Sequence, residues 1–171
     1  MEKKYIELYK ELYNRKPKYG RTSIKLYNDI LPIVLKLKPC AILDYGCGKS
    51  ELMNKITEET NIPCYRYDPV IEGCEKLPKQ KIDFIVCTDV LQHVPLHDLD
   101  NVLKEITRFT KKCFFHIKCT EHPTLFFNGE PTNCTVYPKE WWYKYLNKYF
   151  DKIEYIPVSD ETTVSFFTSD N

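Results

Sequence analysis

No two of the eight cysteines are spaced Cys-x-x-Cys, which removes the common zinc-knuckle and thioredoxin patterns. They stand at positions 40, 47, 64, 74, 87, 113, 119 and 134, several of them inside apolar runs. A free thiol there behaves as a small core residue, so all eight read as reduced and structural. No apolar run approaches the ~20 residues that a membrane span needs. The first residues, MEKKYIELYKELYNRK, are charged throughout and contain no apolar h-region, so no secretory signal is read there and a cytoplasmic location is expected. Repeats, low-complexity tracts and linkers are lacking too, which excludes solenoids and disordered chains. There is almost no excess of one charge: 25 Lys and Arg face 24 Asp and Glu, a net of +1. That balance hides a basic start, because residues 1–25 hold eight basic against three acidic side chains. Such an arm is either a solvated helix face or an attractor for phosphate-bearing partners.

The chain has 171 residues, of which 43% are hydrophobic, enough for one core. We read residues 1–171 as a single domain, with an N-terminal helical cap over 1–38 and an α/β core over 39–171. Apolar residues at Tyr5, Ile6, Leu8, Tyr9, Leu12 and Tyr13 predict an amphipathic helix over 2–14, broken by Pro17 and Gly20. A second helix is expected over 23–37, kinked or split at Pro32. From residue 41 the period changes. Short apolar runs at 41–44, 63–68, 83–89 and 113–118 read as strands, and the first three end in an acid: Asp44, Asp68 and Asp89. Helical spacing fills 50–58, 99–109 and 139–150. The strands 153–158 and 162–168 close the chain as a hairpin around Ser159-Asp160-Glu161. Strands alternating with helices imply a mostly parallel sheet covered on both faces, with an antiparallel edge from the hairpin.

In such a sheet, ligands bind beyond the carboxyl ends of the strands where the strand order reverses. The first strand runs into Asp44-Tyr45-Gly46-Cys47-Gly48-Lys49-Ser50, a tight glycine turn opening a helix. It lacks the third glycine of a dinucleotide fingerprint. Asp68 stands 20 residues after Gly48, where an acid can accept both ribose hydroxyls. The motifs LDYGCGKS, YRYDP and DFIVCTDVLQHVP, in that order, resemble the class I S-adenosylmethionine-dependent methyltransferases, over roughly residues 40–170. YGRTS, YDPVI and PKEWW make the chain similar to small stand-alone methyltransferases of bacteria and phages.

The resemblance implies a Rossmann-like class I methyltransferase sheet, S-adenosylmethionine as cofactor, and roles by position. Asp44, Tyr45, Gly46, Cys47 and Gly48 line the methionine moiety and the near ribose. Asp68 takes the ribose hydroxyls, and Pro69 lies beside the adenine. Asp89 and Val90 border the sulfonium. Tyr19 and Ser23 close over the methionine carboxylate, with Arg21 to match its charge. Only 14 residues separate Asp68 from Asp83, too few for the helix, strand and helix expected there, so the sheet is trimmed to about six strands. The usual acid-bearing adenine loop is then missing, and Ile71, Cys74 or Leu77 are candidates to replace it.

Methyl transfer from a sulfonium is a direct displacement, so the protein must align the reactants and, for a hydroxyl nucleophile, remove a proton. His93 is the candidate base, with Asp89 beside it; the alternative is that His93 packs or caps the next helix. His97 is four residues on, but Pro95 stands between them and no metal is expected. The segment 119–142 is read as a substrate cap, with His122, Phe126, Tyr137, Trp141 and Trp142 as candidate substrate contacts or as a lid packed on the sheet. Trp141 and Trp142 are adjacent, so one belongs nearer the core. The expected acceptor is a small molecule, sugar or nucleotide-linked metabolite. One alternative is RNA, through the basic arm and a Lys25, Asp89, Lys118 and Glu154 set; another is a protein that binds the cofactor without transferring methyl. The absence of an Asn/Asp-Pro-Pro-Tyr/Phe motif argues against DNA amino-group methylation.

Overall fold

The structure is a computed structural model that describes residues 2–170. Five helices, α1 Lys3–Arg15, α2 Tyr27–Leu37, α3 Leu52–Thr60, α4 Leu96–Thr107 and α5 Lys139–Leu146, accompany six strands. The strands are β1 Ile42–Tyr45, β2 Cys64–Tyr67, β3 Phe84–Thr88, β4 Cys113–Lys118, β5 Lys152–Ile156 and β6 Thr163–Ser169. They form one sheet in the order β2-β1-β3-β4-β6-β5. β2, β1, β3 and β4 are parallel; β5 turns back into β6, which lies antiparallel between it and β4. The six strands and the antiparallel closing pair are as expected.

β1 and β3 are buried along their whole length because helices cover both faces of the sheet. Side chains alternate between those faces with a period of two. Leu43, Tyr45, Ile85, Cys87, Phe115 and Ile117 pack with α4 and α5. Ile42, Phe84, Val86 and Phe114 pack with α2 and α3. Trp142 is fully buried in the first of these clusters. α1 lays Leu8, Tyr9 and Leu12 against Phe126 in a third, smaller cluster over the strand ends.

Helix α2 runs through Pro32 without a break. The split comes earlier, where a 3-10 turn at Thr22–Leu26 passes into α2. The proline ring excludes the carbonyl of Asn28, which lies in the first turn of α2, so little of the helical ladder is disturbed. Between β2 and β3, residues 68–83 carry no helix or strand, as their number predicted, and β2 is left as a sheet edge. The opposite edge, β5, is largely exposed and bears Lys152 and Glu154, charges that discourage pairing with another sheet. Among the described residues, no helix is long and apolar enough to cross a membrane.

Candidate active site

β1 has β2 on one side and β3 on the other, so the chain changes direction there and leaves a crevice at the strand ends. Two adjoining cavities open in it, of about 240 and 460 Å³. The first is walled by Tyr45, Tyr67, Asp68, Pro69, Val70, Val90, Val102 and Glu105. The second is walled by Lys18, Tyr19, Ser23, Lys25, Cys47, Gly48, His116, Lys118 and His122, among others. Tyr9, Tyr13, Gly46, Asp89 and His93 line both.

The turn after β1 explains its glycines. Gly46 has φ +79°, and a Cβ there would lie 2.3 Å from Val90 Cγ2. Gly48 has φ +51°, and its Cβ would meet the Gly20 carbonyl at 2.6 Å. That close approach exists because the cap crosses the turn: the Lys49 amide donates to the Gly20 carbonyl at 2.7 Å. The N-terminal segment is thus tied to the glycine turn by a main-chain bond.

Asp68 is 6% exposed and holds the turn from the other side. Its Oδ2 accepts from the Gly48 amide and its Oδ1 from the Val70 amide, both at 2.9 Å. Burial raises its pKa, and those two amides oppose the rise. Each carboxylate oxygen has two acceptor directions, so one on each stays available to a pair of ribose hydroxyls. Asp68→Ala is expected to weaken S-adenosylhomocysteine binding by about 1–3 kcal/mol. Calorimetric titration checks this; an unchanged affinity rejects the ribose placement.

Asp44 is different. It alternates to the α2 and α3 side of β1, lies beneath the turn, 1% exposed, and lines neither cavity. Neither carboxyl oxygen has a hydrogen-bond partner. Burial pushes its pKa up to about 7, against the pull of the nearby Arg66 guanidinium. Between about pH 4 and about pH 7 the folded protein therefore holds a proton that the unfolded chain has lost. The sign follows: stability falls as pH rises across that window and levels off above it. Asp44→Asn should flatten this fall in thermal melts taken from pH 4 to 8; an unaltered slope contradicts the assignment.

Asp89 ends β3 with φ +56°, a conformation aspartate tolerates better than most residues. Its amide donates to the His116 carbonyl at 2.9 Å, and its Oδ2 accepts from Thr22 Oγ1 at 3.0 Å. His93 follows in a 3-10 turn, Leu91–His93. Its Nδ1 lies 2.8 Å from the Thr132 carbonyl, which can only accept, so Nδ1 carries the hydrogen and Nε2 the lone pair. Burial lowers its pKa, with the Thr132 carbonyl acting against it. A neutral imidazole with an unprotonated Nε2 has what a proton acceptor needs.

The segment 119–142 meets the site mainly through its backbone. Cys134 and Thr135 amides donate to the Gln92 carbonyl, and the Thr132 carbonyl accepts from both His93 and Tyr9. Its aromatic residues lie elsewhere: Phe126, Tyr137, Trp141 and Trp142 line neither cavity. Phe126 packs edge-on against Tyr9 under α1. Tyr137 and Trp141 stack at 4.0 Å, and Trp141 stacks in turn on Tyr145. Trp142 is core. Large flat side chains bury more area against one another and the sheet than beside a cavity, and the packing reading of this segment prevails for them. His122 alone of the five lines the second cavity.

Of the cofactor residues, Tyr45, Pro69 and Val90 line the first cavity, Tyr19, Ser23, Cys47 and Gly48 the second. Arg21 is exposed and lines neither, whereas Lys18, Lys25 and Lys118 line the second. Ile71, Cys74 and Leu77 do not reach the first cavity, because the short loop folds back to let the Cys74 carbonyl accept from the Asp68 amide. His97 is turned away, bonded through Nε2 to Glu2 at 2.6 Å. Glu154 sits on β5, paired with Lys152, and lines neither cavity, so the four-residue RNA-type set is not assembled. Sequence reasoning passed over Tyr9 and Tyr13, which look like part of the apolar stripe of α1, and His116, which looks like a core histidine of β4.

A model of the methyltransferase domain family matches residues 1–171. No curated protein matches the sequence. Solved structures show the same fold at low identity. A 1,6-didemethyltoxoflavin-N1-methyltransferase from Burkholderia thailandensis, with 1,6-didemethyltoxoflavin and S-adenosylhomocysteine bound, is 12% identical with TM-score 0.65, over 98% of this chain and 90% of that one. The methyltransferase domain of bacterial CtHen1 is 13% identical with TM-score 0.63, over 87% and 99%. The plantazolicin methyltransferase BpumL, also with S-adenosylhomocysteine, is 12% identical with TM-score 0.60, over 96% and 90%. The residues present fit such a cofactor. A floor without side chains at Gly46, a carboxylate with acceptor capacity to spare at Asp68, and a buried, partnerless carboxyl beneath the turn at Asp44 suit a cationic nucleoside. With the family model spanning the whole sequence, the chain belongs to the methyltransferase domain family and is an S-adenosylmethionine-dependent methyltransferase.

Proposed function

We propose that the methyl acceptor is a small polar metabolite, sugar- or nucleotide-linked, that presents a hydroxyl or amine to His93. The observation that carries this reading is the pair of adjoining cavities with His93, Asp89 and Gly46 at their junction. The glycine turn and Asp68 hold the cofactor, whose methionine end reaches the part of the second cavity lined by Tyr19, Ser23, Cys47 and Gly48; the part toward His116, Lys118 and His122 takes the acceptor. When bound, the sulfonium supplies a methyl group already activated for displacement. The chain's own residues do the rest. Tyr9 and Tyr13 on α1 cover the junction and exclude water, which strengthens the polar contacts beneath them. His93 Nε2 receives the acceptor's proton while Nδ1–H stays on Thr132, fixing the ring's orientation. Asp89, bonded to Thr22, gives the imidazolium a nearby negative charge. Lys18 and Lys25 suit an acceptor bearing phosphate or carboxylate, because Asp160 is engaged by Lys118 and Thr162 and Asp89 by Thr22.

The test treats an extract of small metabolites and, separately, total RNA with the protein and cofactor carrying an isotopically labelled methyl group. Label in a low-mass anionic product supports the reading. Label in RNA, or none anywhere, rejects it. An RNA acceptor remains the second reading, favoured by Lys25, Asp89 and Lys118 lining one cavity and by the basic start of the chain. It requires RNA affinity that falls steeply with salt.

A further inference from the structure

The first cavity ends on a helix where a loop was expected. Residues 69–82 are too few to supply the acid-bearing loop, and the three apolar candidates in that segment stay outside the cavity. On the side facing Tyr45 and Tyr67 the wall is α4, which presents Asn101, Val102 and Glu105. Asn101 and Glu105 are four residues apart and share a face of the helix. The sheet fixes Glu105 in place. Tyr45 is at an α4-facing position of β1, and Tyr67, its register partner on β2, faces the same way, with ring centroids 5.0 Å apart. Tyr45 Oη donates to Glu105 Oε1 at 2.5 Å. Oε2 has no partner among the described residues, and neither does the Asn101 amide. Pro69, Val70, Val90 and Val102 give the same cavity apolar walls, as a flat base requires.

We propose that Asn101 and Glu105 of α4 recognise the amino edge of the cofactor's adenine, in place of the loop missing between β2 and β3. The chemistry fits both groups. Adenine offers an exocyclic amine as donor beside a ring nitrogen as acceptor, a pair that an asparagine amide matches and a carboxylate reads in part. Tyr45 is the positioning residue that keeps the carboxylate turned to the cavity. The inference rests on the ribose lying at Asp68, since that placement carries the base toward α4.

Calorimetric titration with S-adenosylhomocysteine and with its analogue carrying oxygen in place of the adenine amine tests it without turnover. The wild-type protein should prefer the amine by about tenfold or more, because the analogue faces Glu105 with acceptor against acceptor. Glu105→Gln, whose amide can also donate, should shrink that preference to about threefold or less. Asn101→Ala, at an exposed position, should weaken binding of S-adenosylhomocysteine several-fold while leaving the melting temperature unchanged. Equal affinity of the wild type for the two compounds overturns the inference, as does a Glu105→Gln protein that keeps the full preference. Misplacement of the ribose would show separately, as an Asp68→Ala protein with wild-type affinity, and overturns the inference at its root.

Discussion

His93→Gln is expected to lower turnover by about 10²–10⁴-fold, the usual contribution of a positioned proton acceptor. Cofactor affinity should stay within about threefold of wild type, because His93 borders both cavities while Asp68 and the glycine turn hold the nucleoside. Glutamine can keep a hydrogen bond to the Thr132 carbonyl but offers no basic nitrogen at neutral pH. The pH profile supplies a second reading of the same group. Only the neutral ring accepts a proton, so activity falls on the acid side. Burial lowers the His93 pKa, which places that fall below the range of an ordinary imidazole. The midpoint of the acid-side fall in the wild-type rate should therefore lie below that of an ordinary imidazole. A profile that already falls above pH 7, or a His93→Gln protein with undiminished turnover, removes His93 from the proton path.

Gly46→Ala should both destabilise the fold and close the site. A non-glycine residue at φ +79° bears the left-handed penalty of about 1–2 kcal/mol. The added Cβ would also stand 2.3 Å from one Val90 methyl and 3.0 Å from the other, so Val90 must move into the first cavity or the turn must open. Overpacking of this kind costs a further 1–3 kcal/mol or so. For a chain of this size the total corresponds to a melting temperature lower by roughly 5–15 °C. S-adenosylhomocysteine affinity should fall more than about tenfold, because the displaced Val90 side chain is itself a wall of the cavity. Adding Val90→Ala separates the two causes. It relieves the overlap but not the backbone, so the double variant should recover part of the affinity and only part of the stability. Purely additive losses would show that the two residues are not in contact.

The strands that carry the site were legible because each is a short apolar run that stops at a polar residue. Asp68 and Asp89 could be placed on one edge of the sheet, on either side of the β1 end, since parallel strands in one sheet bring their carboxyl ends to one edge. The shortened segment after Asp68 was legible by length alone. Asp44 is set apart from Tyr45 by parity. It is one residue before Tyr45 on β1, and that single step turns it away from the α4 side to the space beneath the turn. The aromatic residues of 119–142 stayed between two readings because a stacking ring looks the same in sequence whether it meets a ligand or another ring. Arg21, just before the 3-10 turn at Thr22–Leu26, is exposed, and the side chains of Lys18 and Lys25 on either side of it line the second cavity.

By itself the sequence determined the local periods, the acids at the strand ends, the glycine turn and the loss of a strand. Those depend on neighbours along the chain, whose spacing is printed in the order of residues. Only the tertiary structure decided which groups meet across the crevice. Tyr9 and Tyr13 of α1 above the junction, the Thr132 carbonyl that fixes the His93 ring, and Tyr45 holding Glu105 on α4 are all contacts between residues far apart in sequence. Such contacts follow from how helices settle on a finished sheet. That is a property of the packed whole, and no spacing along the chain encodes it.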